Sequence, residues 1–203
     1  TERGIYRSVD GGKSFEKVLY TSENVGGDDV DIDPSDPNIV YATMWEARQG
    51  PWENGAWSGT HGGVYKSIDG GTTWKKIQKG LPENLVQAHI AVAASSPKTV
   101  YVVFSTPQPN AYGTGVGMGM YRSDDGGENW KDLTEDGRPK AKIGGGDLPE
   151  ISVDPQNAET IYSTSIVLWR STNGGKTWTG IKGAPGGDDY QNIWVNPLHP
   201  EVF

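Results

Sequence analysis

The 203-residue sequence contains no cysteine, which excludes disulfides and thiolate metal sites but does not determine the cellular compartment. It has no apolar run near the roughly 18 residues of a membrane span, and no signal peptide lies in this stretch. Its 18 lysine and arginine residues are outnumbered by 26 acidic residues, which gives a net charge of −8. Neither nucleic acid nor an anionic membrane is therefore an expected partner, because both require a basic face.

The residues that are abundant favour short strands joined by turns. There are 29 glycines and 13 prolines, together with eight tryptophans and nine tyrosines. Only 34% of the residues are hydrophobic, as expected when one face of each strand meets solvent. This composition predicts an all-β protein.

An eight-residue motif, Ser-x-Asp/Asn-Gly-Gly-x-x-aromatic, occurs four times, at residues 8–15, 67–74, 123–130 and 171–178. The acid can accept hydrogen bonds from its own turn, the second glycine can take a positive φ, and the aromatic ring can pack on a neighbour. Each copy therefore predicts the tip of a β-hairpin. The predicted structural positions are Asp10, Asp69, Asp125, Asn173, Phe15, Trp74, Trp130 and Trp178. Asn173 replaces the acid in the fourth copy, which favours a structural over a catalytic or metal-binding role.

A second element, with the pattern strand, proline-rich turn, strand, lies between the copies of the first motif. It occurs at residues 32–41, 92–101 and 153–162, and again at 195–203. Together the two motifs predict a four-stranded antiparallel meander, whose strands we name A to D. A unit of this kind repeated about every 50 residues is the blade of a β-propeller.

The chain is predicted to be a single propeller segment spanning residues 1–203. It would comprise a C–D half blade at 1–20, blades at 28–79, 88–134 and 150–182, and an A–B half blade at 190–203. By count, the two halves could complete a four-bladed ring. The favoured alternative is a piece of a larger propeller.

Four short stretches of the sequence carry a resemblance to a known family. They are Gly-Val-Tyr-Lys before the motif at residue 67, Asp-Pro-x-x-Pro-x-x-Val-Tyr-Ala at 33–42, Trp-Glu-Ala-Arg at 45–48 and Gly-Gly-Asp-Asp-Tyr-Gln at 186–191. The chain resembles Asp-box (BNR) repeat propellers, and is similar to family 74 glycoside hydrolases and to sortilin (VPS10)-like secreted bacterial proteins. The resemblance implies a secreted or periplasmic carbohydrate-active propeller, a polysaccharide or oligosaccharide partner and no cofactor. The alternative is a non-catalytic sortilin-like propeller that binds protein or acts as a scaffold, so whether the chain is an enzyme stays open.

The meander sorts its loops onto two faces. The A–B turns and the Asp boxes share one face, and the longer B–C and D–A loops share the other. Because long loops in compact domains are usually functional or disordered, we expect a ligand site opposite the Asp boxes, near the axis where the A strands begin.

The B–C loops hold the candidate substrate-binding residues, which are Trp45, Arg48, Trp52 and Trp57 in the first loop and Tyr112 in the second. Indole faces can stack on sugars, while arginine can bind hydroxyl groups. The alternative is that the tryptophans pack the loop onto neighbouring blades and that the second loop is a spacer.

The D–A loops carry acids just before strand A, at residues 26–29, 145–147 and 186–189, whereas the second blade has His89 there. A ring of carboxylates around the axis could bind a cation or supply a general acid, since like charges raise a pKa. The candidate catalytic residues are Asp28, Glu46, Asp188 and Asp189. Glycosidases use two carboxylates about 5 to 10 Å apart. The alternative is that these acids cap glycine-rich turns, and no histidine spacing indicates a metal site.

Overall fold

The computed structural model of the protein describes residues 2–47, 58–109, 116–133, 136–140, 150–183, 185–187 and 190–203. Within these residues all regular secondary structure is β-strand. The same residues include no helix long and apolar enough to cross a membrane. Four antiparallel sheets follow one another along the chain, and each strand pairs with its neighbours in sequence. This connectivity is a meander, as short turns between successive strands require.

The first sheet, the half-sheet, has two strands, β1 (Ile5–Arg7) and β2 (Glu16–Leu19). The first blade contains β3 (Val25–Ile32), β4 (Val40–Glu46), β5 (Gly63–Ser67) and β6 (Lys75–Lys76). The second blade contains β7 (Val86–Val92), β8 (Val100–Pro109), β9 (Val116–Ser123) and β10 (Lys131–Asp132). The third blade contains β11 (Glu150–Asp154), β12 (Asn157–Thr164), β13 (Leu168–Ser171) and β14 (Thr179–Lys182). We call β3, β7 and β11 the inner strands.

The Asp-box turn closes on itself through hydrogen bonds that span at most four residues. The amides of Thr72 and Thr73 donate to Asp69 Oδ1 at 3.0 and 2.8 Å, and the amide of Gly71 donates to Ser67 Oγ at 2.8 Å. The hydrogen bonds from Thr73 lower the pKa of Asp69 to about 2. Both glycines of this box have a positive φ, 66° and 86°, so the turn needs glycine at each position and not only at the second.

The fourth copy makes the same turn without a charge. Asn173 Oδ1 accepts a hydrogen bond from the Thr177 amide at 3.0 Å and another from Ser171 Oγ at 3.0 Å. The asparagine therefore replaces the acid in its turn geometry, which is consistent with a structural role for this position.

The aromatic residues of the second, third and fourth boxes pack towards the preceding sheet. Trp130 Nε1 donates to the carbonyl oxygen of Ile77 in the first blade at 3.0 Å. Trp130 is 5% exposed and Trp178 is 4% exposed, while Phe15 at the same position of the half-sheet is 65% exposed. The box aromatics of the second and third blades thus belong to the cores between blades, and Phe15 has no sheet against which to pack among the described residues.

Residues 190–203 differ from the predicted pair of strands, because they form no regular strand. Their turn is nevertheless present, since the Asn196 amide donates to the Val202 carbonyl at 3.0 Å. Ile193 and Val195 are buried against the third blade, beside Tyr162 and Leu168. The segment is held by these side chains and by a hydrogen bond from Ser152 Oγ to the Ile193 carbonyl, contacts that do not need a backbone ladder.

Candidate functional site

A cavity of about 360 Å³ runs along the inner strands of all three blades and residues 192–195, and we call it the axial pocket. Its polar wall contains Asp29, His89, Glu150 and Asn192. Each of these residues lies four positions before the equivalent residue of the strand–turn–strand element, namely Asp33, Ala93, Asp154 and Asn196. The repeat therefore brings four polar side chains, one from each repeat, to the same level of the pocket.

This level lies towards the starts of the inner strands, away from the Asp boxes. Ile32, at the end of β3, pairs with Val40, which pairs in turn with Ser67 at the box. Asp29 pairs farther along β4, with Thr43. The polar level is thus on the part of the strands that leads to the D–A loops.

His89 joins the three blades at the centre of the pocket wall. Its Nδ1 lies 3.6 Å from Asp29 Oδ2 in the first blade and 3.6 Å from Glu150 Oε1 in the third. Burial alone would lower the pKa of His89, but Asp29, Asp28 and Glu150 outweigh it and raise that pKa above its ordinary value. Burial also raises the pKa of Glu150. The imidazole can therefore carry a positive charge between two carboxylates.

Asp28 lies beside this histidine at a β-bulge of β3, between Gly27 and Asp29. Burial raises its pKa to about 6, and the negative charge of Asp29 adds to that rise. Asp28 Oδ2 and His89 Nε2 are buried, and neither has a hydrogen-bond partner in the described part of the molecule. Asp28 is thus the described carboxyl best suited to keep a proton in mildly acidic solution.

The other two acids of β3 hold the neighbouring inner strand. Asp29 Oδ2 accepts a hydrogen bond from the Ile90 amide at 2.9 Å, and Asp31 Oδ2 accepts one from the Val92 amide at 2.7 Å. Burial would raise the pKa of Asp29, but the His89 imidazole and the Ile90 amide together hold it below its ordinary value. These two carboxylates bind one blade to the next, in addition to any contact with a ligand.

Glu46 lies apart from the axial pocket, at the end of β4. Its Oε2 accepts a hydrogen bond from the His61 amide at 2.9 Å and lies 2.8 Å from His61 Nδ1. Burial opposes ionisation, but these contacts with His61 lower the pKa of Glu46. Trp45 precedes it and pairs with Gly26 across the sheet. Neither Glu46 nor Asp28 is among the residues that line the axial pocket, so the structure does not bring these two predicted acids together there.

Several predicted site residues lie outside the described residues, namely Arg48, Trp52, Trp57, Tyr112, Asp188 and Asp189. Their roles stay predictions. In the described residues, no group of three or more histidines and acids is arranged to hold a metal ion.

Sequence reasoning did not select Glu150, Asn192 or Trp194 as site residues, and it noted His89 only as a departure from the acidic pattern. Trp194 lines the pocket and is largely exposed. The missed signal is positional, because Glu150 and Asn192 become visible when the inner strands are aligned on the residue that starts each A–B turn. A search by residue type misses this equivalence, because the same position of the repeat holds an acid in two copies, a histidine in one and an asparagine in another.

Comparisons with known proteins agree with the architecture. The family model of the BNR/Asp-box repeat matches residues 121–132. A xyloglucanase from a Paenibacillus species is 28% identical over 187 residues, which cover 80% of this chain and 17% of that protein. The chain thus spans less than a fifth of the length of this relative.

Two solved structures show the same fold. The crystal structure of a family 74 glycoside hydrolase (GH74) xyloglucanase from Xanthomonas campestris matches with a TM-score of 0.62 at 18% identity, covering 91% of this chain and 28% of that one. YCF48 from Cyanidioschyzon merolae matches with a TM-score of 0.50 at 18% identity, covering 78% of this chain and 37% of that one. The predicted all-β propeller segment with four-stranded Asp-box blades is confirmed.

Proposed function

Because the chain is a segment of an Asp-box propeller similar to family 74 glycoside hydrolases, we propose that it is part of a carbohydrate-active protein and binds a polysaccharide in the axial pocket. The observation that carries the proposal is the composition of this one cavity, which unites Glu150, the His89 imidazole and the exposed indole of Trp194. An indole can stack on the apolar face of a sugar, while carboxylates accept hydrogen bonds from its hydroxyl groups.

The names of the relatives support xyloglucan as the polysaccharide. The lining of the pocket is compatible with a neutral glycan, because the described residues of its wall include no lysine or arginine that would attract an anionic one. A location outside the cytoplasm is part of the same proposal, since a cell-wall polysaccharide is found there. Fractionation of cells that produce the protein would test it, and an exclusively cytoplasmic protein would contradict it.

Hydrolysis by the whole protein is the finer proposal, with Asp28 as the general acid. Its raised pKa leaves a proton available near pH 6, which a glycosidic acid needs. Glu150, Asp188 and Asp189 are the candidates for the second carboxylate. Glu150 Oε1 and Asp29 Oδ2 both lie 3.6 Å from His89 Nδ1, so Glu150 faces the strand that carries Asp28.

Binding is tested by titration calorimetry of the 203-residue chain with xyloglucan oligosaccharides. We expect Trp194→Ala and Glu150→Gln each to weaken binding at least tenfold. The first removes the indole that forms part of the cavity wall, and the second removes a charged hydrogen-bond acceptor. The matched control is Phe15→Ala, since Phe15 is as exposed as Trp194 but belongs to an Asp box. Equal affinity of Trp194→Ala and the Phe15→Ala control, with folding retained, would contradict the proposed site.

A non-catalytic propeller is the second candidate, and the contacts of Asp29 and Asp31 favour it. Both carboxylates are engaged by backbone amides of the next blade, as structural acids would be. Release of reducing ends from xyloglucan separates the candidates. Release that disappears in Asp28→Asn supports an enzyme, whereas saturable binding without release supports a recognition or scaffold module that holds a glycan or a protein.

A further inference from the structure

A second cavity, of about 430 Å³, lies between the second and third blades. The second blade contributes residues of β9 and β10 to its lining, and the third blade contributes Glu159, Gly174 and Lys176. Because Gly174 and Lys176 belong to an Asp box, this cavity is on the side of the Asp boxes, whereas the axial pocket follows the inner strands. We call it the junction pocket, and its described lining shares no residue with that of the axial pocket.

Each acid in the described lining of the junction pocket is already held by a cation of the chain. The Arg122 guanidinium donates to both carboxylate oxygens of Glu159, at 2.7 and 2.9 Å, and its Nε donates to Asp124 Oδ1 at 2.7 Å. Lys140 Nζ donates to Asp132 Oδ1 at 2.6 Å. These ion pairs therefore occupy Arg122 and Lys140, together with part of each carboxylate.

Two further lysines, Lys131 and Lys176, line the same pocket, and neither side chain forms a hydrogen bond or an ion pair with another described residue. Arg122 holds the pKa of Glu159 below its ordinary value, and the charge of Lys176 adds to this effect. Lys176 nevertheless makes no hydrogen bond to Glu159, whose two oxygens are taken by Arg122. Two ammonium groups are thus left in one cavity to attract a negative charge, in a chain whose net charge is −8.

The preceding junction, between the first and second blades, shows what these two positions hold when the chain fills them itself. Lys75 directly follows the aromatic residue of its Asp box, as Lys131 does, and Glu128 lies two residues before the aromatic residue of its box, as Lys176 does. Lys75 Nζ donates to Glu128 Oε2 at 2.9 Å, so this junction is bridged by an ion pair. At the next junction both positions are lysine, and the carboxylate that would join them is absent from the described residues.

We propose that the junction pocket binds a sugar acid of the uronate class, whose carboxylate takes the place of the missing acid and accepts hydrogen bonds from Lys131 and Lys176. The volume of the pocket is within the range of small-molecule sites. A carboxylate between two ammonium groups makes charge-assisted hydrogen bonds, which are stronger than neutral ones. The ligand thereby relieves the repulsion between the two lysines.

The rest of the lining favours a ligand that also carries hydroxyl groups. Asp124 and Asp132 use Oδ1 for their ion pairs, and Oδ2 of each has no hydrogen-bond partner among the described residues. A carboxylate oxygen can accept a hydrogen bond from a hydroxyl group, and the Leu133 side chain offers an apolar surface to the carbon skeleton of a sugar. The inference does not depend on the glycan proposed for the axial pocket, because the two cavities are separate.

The probe is glucuronate, titrated into the 203-residue chain at constant ionic strength and followed by the amide chemical shifts of a ¹⁵N-labelled sample. We expect saturable shift changes at Leu133 and Gly174 of the junction pocket. Glucose, which has the hydroxyl groups but no carboxylate, and acetate, which has a carboxylate but no hydroxyl groups, should each bind at least about tenfold more weakly, since each loses one set of contacts.

The repeat itself supplies the decisive variant. Lys176→Glu installs the acid that the chain has at position 128, so it should pair with Lys131 and abolish glucuronate binding while the protein stays folded. The matched control is Lys13→Glu, which makes the same charge change at the same position of the first Asp box, outside the pocket, and should bind within about twofold of the parent protein.

Three results would overturn the proposal. They are glucuronate binding that Lys176→Glu leaves unchanged, equal affinity for acetate and glucuronate, and shift changes that occur at His89 and Glu150 of the axial pocket but not at the junction pocket. Lys176→Glu should also bind xyloglucan oligosaccharides as the parent protein does. Failure of the uronate site is thereby distinguished from failure of the axial site.

Discussion

Replacing Trp130 by alanine is expected to lower the free energy of unfolding by about 3 to 5 kcal/mol, the range for deletion of a buried aromatic side chain. The equivalent replacement of Phe15 is expected to lower it by less than about 0.5 kcal/mol, as at an ordinary surface position. The two residues occupy the same position of the Asp box. The difference between the two losses in stability therefore reports the burial of the side chain and not its position in the motif.

The large effect at Trp130 has two physical components. Its ring contributes to the core between the first and second blades, with Val64 and Ile77 on one side and Val100 on the other. Its Nε1 donates to the Ile77 carbonyl, which would be left without this partner in a buried setting. Since neighbouring blades stabilise each other through such cores, the loss should extend beyond one blade.

Urea denaturation, monitored by circular dichroism, measures both changes in the free energy of unfolding. The dependence of that free energy on urea concentration should be compared among the variants. Trp178→Ala serves as a second buried example, because Trp178 is also buried between blades. Similar losses at Phe15 and Trp130 would mean that the exposed position is covered in solution, and would contradict the difference in packing described above.

Replacing Asp28 by asparagine is expected to stabilise the protein by about 2 to 3 kcal/mol at pH 8, and by much less at pH 4. The carboxyl has a pKa of about 6 in the folded protein, against 3.8 for an aspartate exposed to water. Folding therefore disfavours its ionised form, and this penalty develops as the pH rises from 3.8 to above 6. Asparagine has a similar shape but cannot ionise, so it removes the penalty.

Like Asp28, His89 makes the parent protein less stable as the pH rises. Its pKa is raised in the folded state by the neighbouring carboxylates, so its protonation favours folding. This contribution is fully present below the ordinary histidine pKa of about 6.5 and is lost as the pH rises through the higher folded value. The parent protein should thus lose stability from this cluster between pH 5 and pH 8, and Asp28→Asn should lose less.

The control for this pH dependence is Asp10→Asn. Hydrogen bonds from Ser14 lower the pKa of Asp10 to about 2, so it stays ionised from pH 4 to pH 8. Its replacement should change stability by the same amount between pH 5 and pH 8 and by slightly less at pH 4, where the unfolded chain is already partly protonated. Asn173 shows that asparagine forms the turn. A difference between Asp28→Asn and the parent that does not vary with pH would contradict the assigned pKa.

The outcome at Asp28 also bears on function. Groups with strongly shifted pKa values cluster at functional sites, where stability is often lower than it could be. If Asp28→Asn stabilises the protein and abolishes glycan hydrolysis, the buried acid is retained for catalysis. If it stabilises the protein and leaves glycan binding intact, without any hydrolysis in the parent, the pocket is a recognition site.

The sequence by itself determined the Asp-box turns, the antiparallel meander and the repeat of blades. These features depend on local interactions, since the side-chain hydrogen bonds that close a box turn span at most four residues and its glycines adopt conformations that other residues avoid. The order of short strands and turns then permits few arrangements other than successive hairpins. A single repeat unit therefore contained the information needed to predict the turn and the meander, while the four copies of each motif revealed the repeat of blades.

Only the tertiary structure decided which residues meet and which are covered. Asp29, His89 and Glu150 come from inner strands of three different blades, and their distances depend on how the blades pack. The same packing buries Trp130 and leaves Phe15 exposed, although their motifs are alike. Long-range contacts and burial are properties of neighbouring blades together, so no single copy of a motif could specify them.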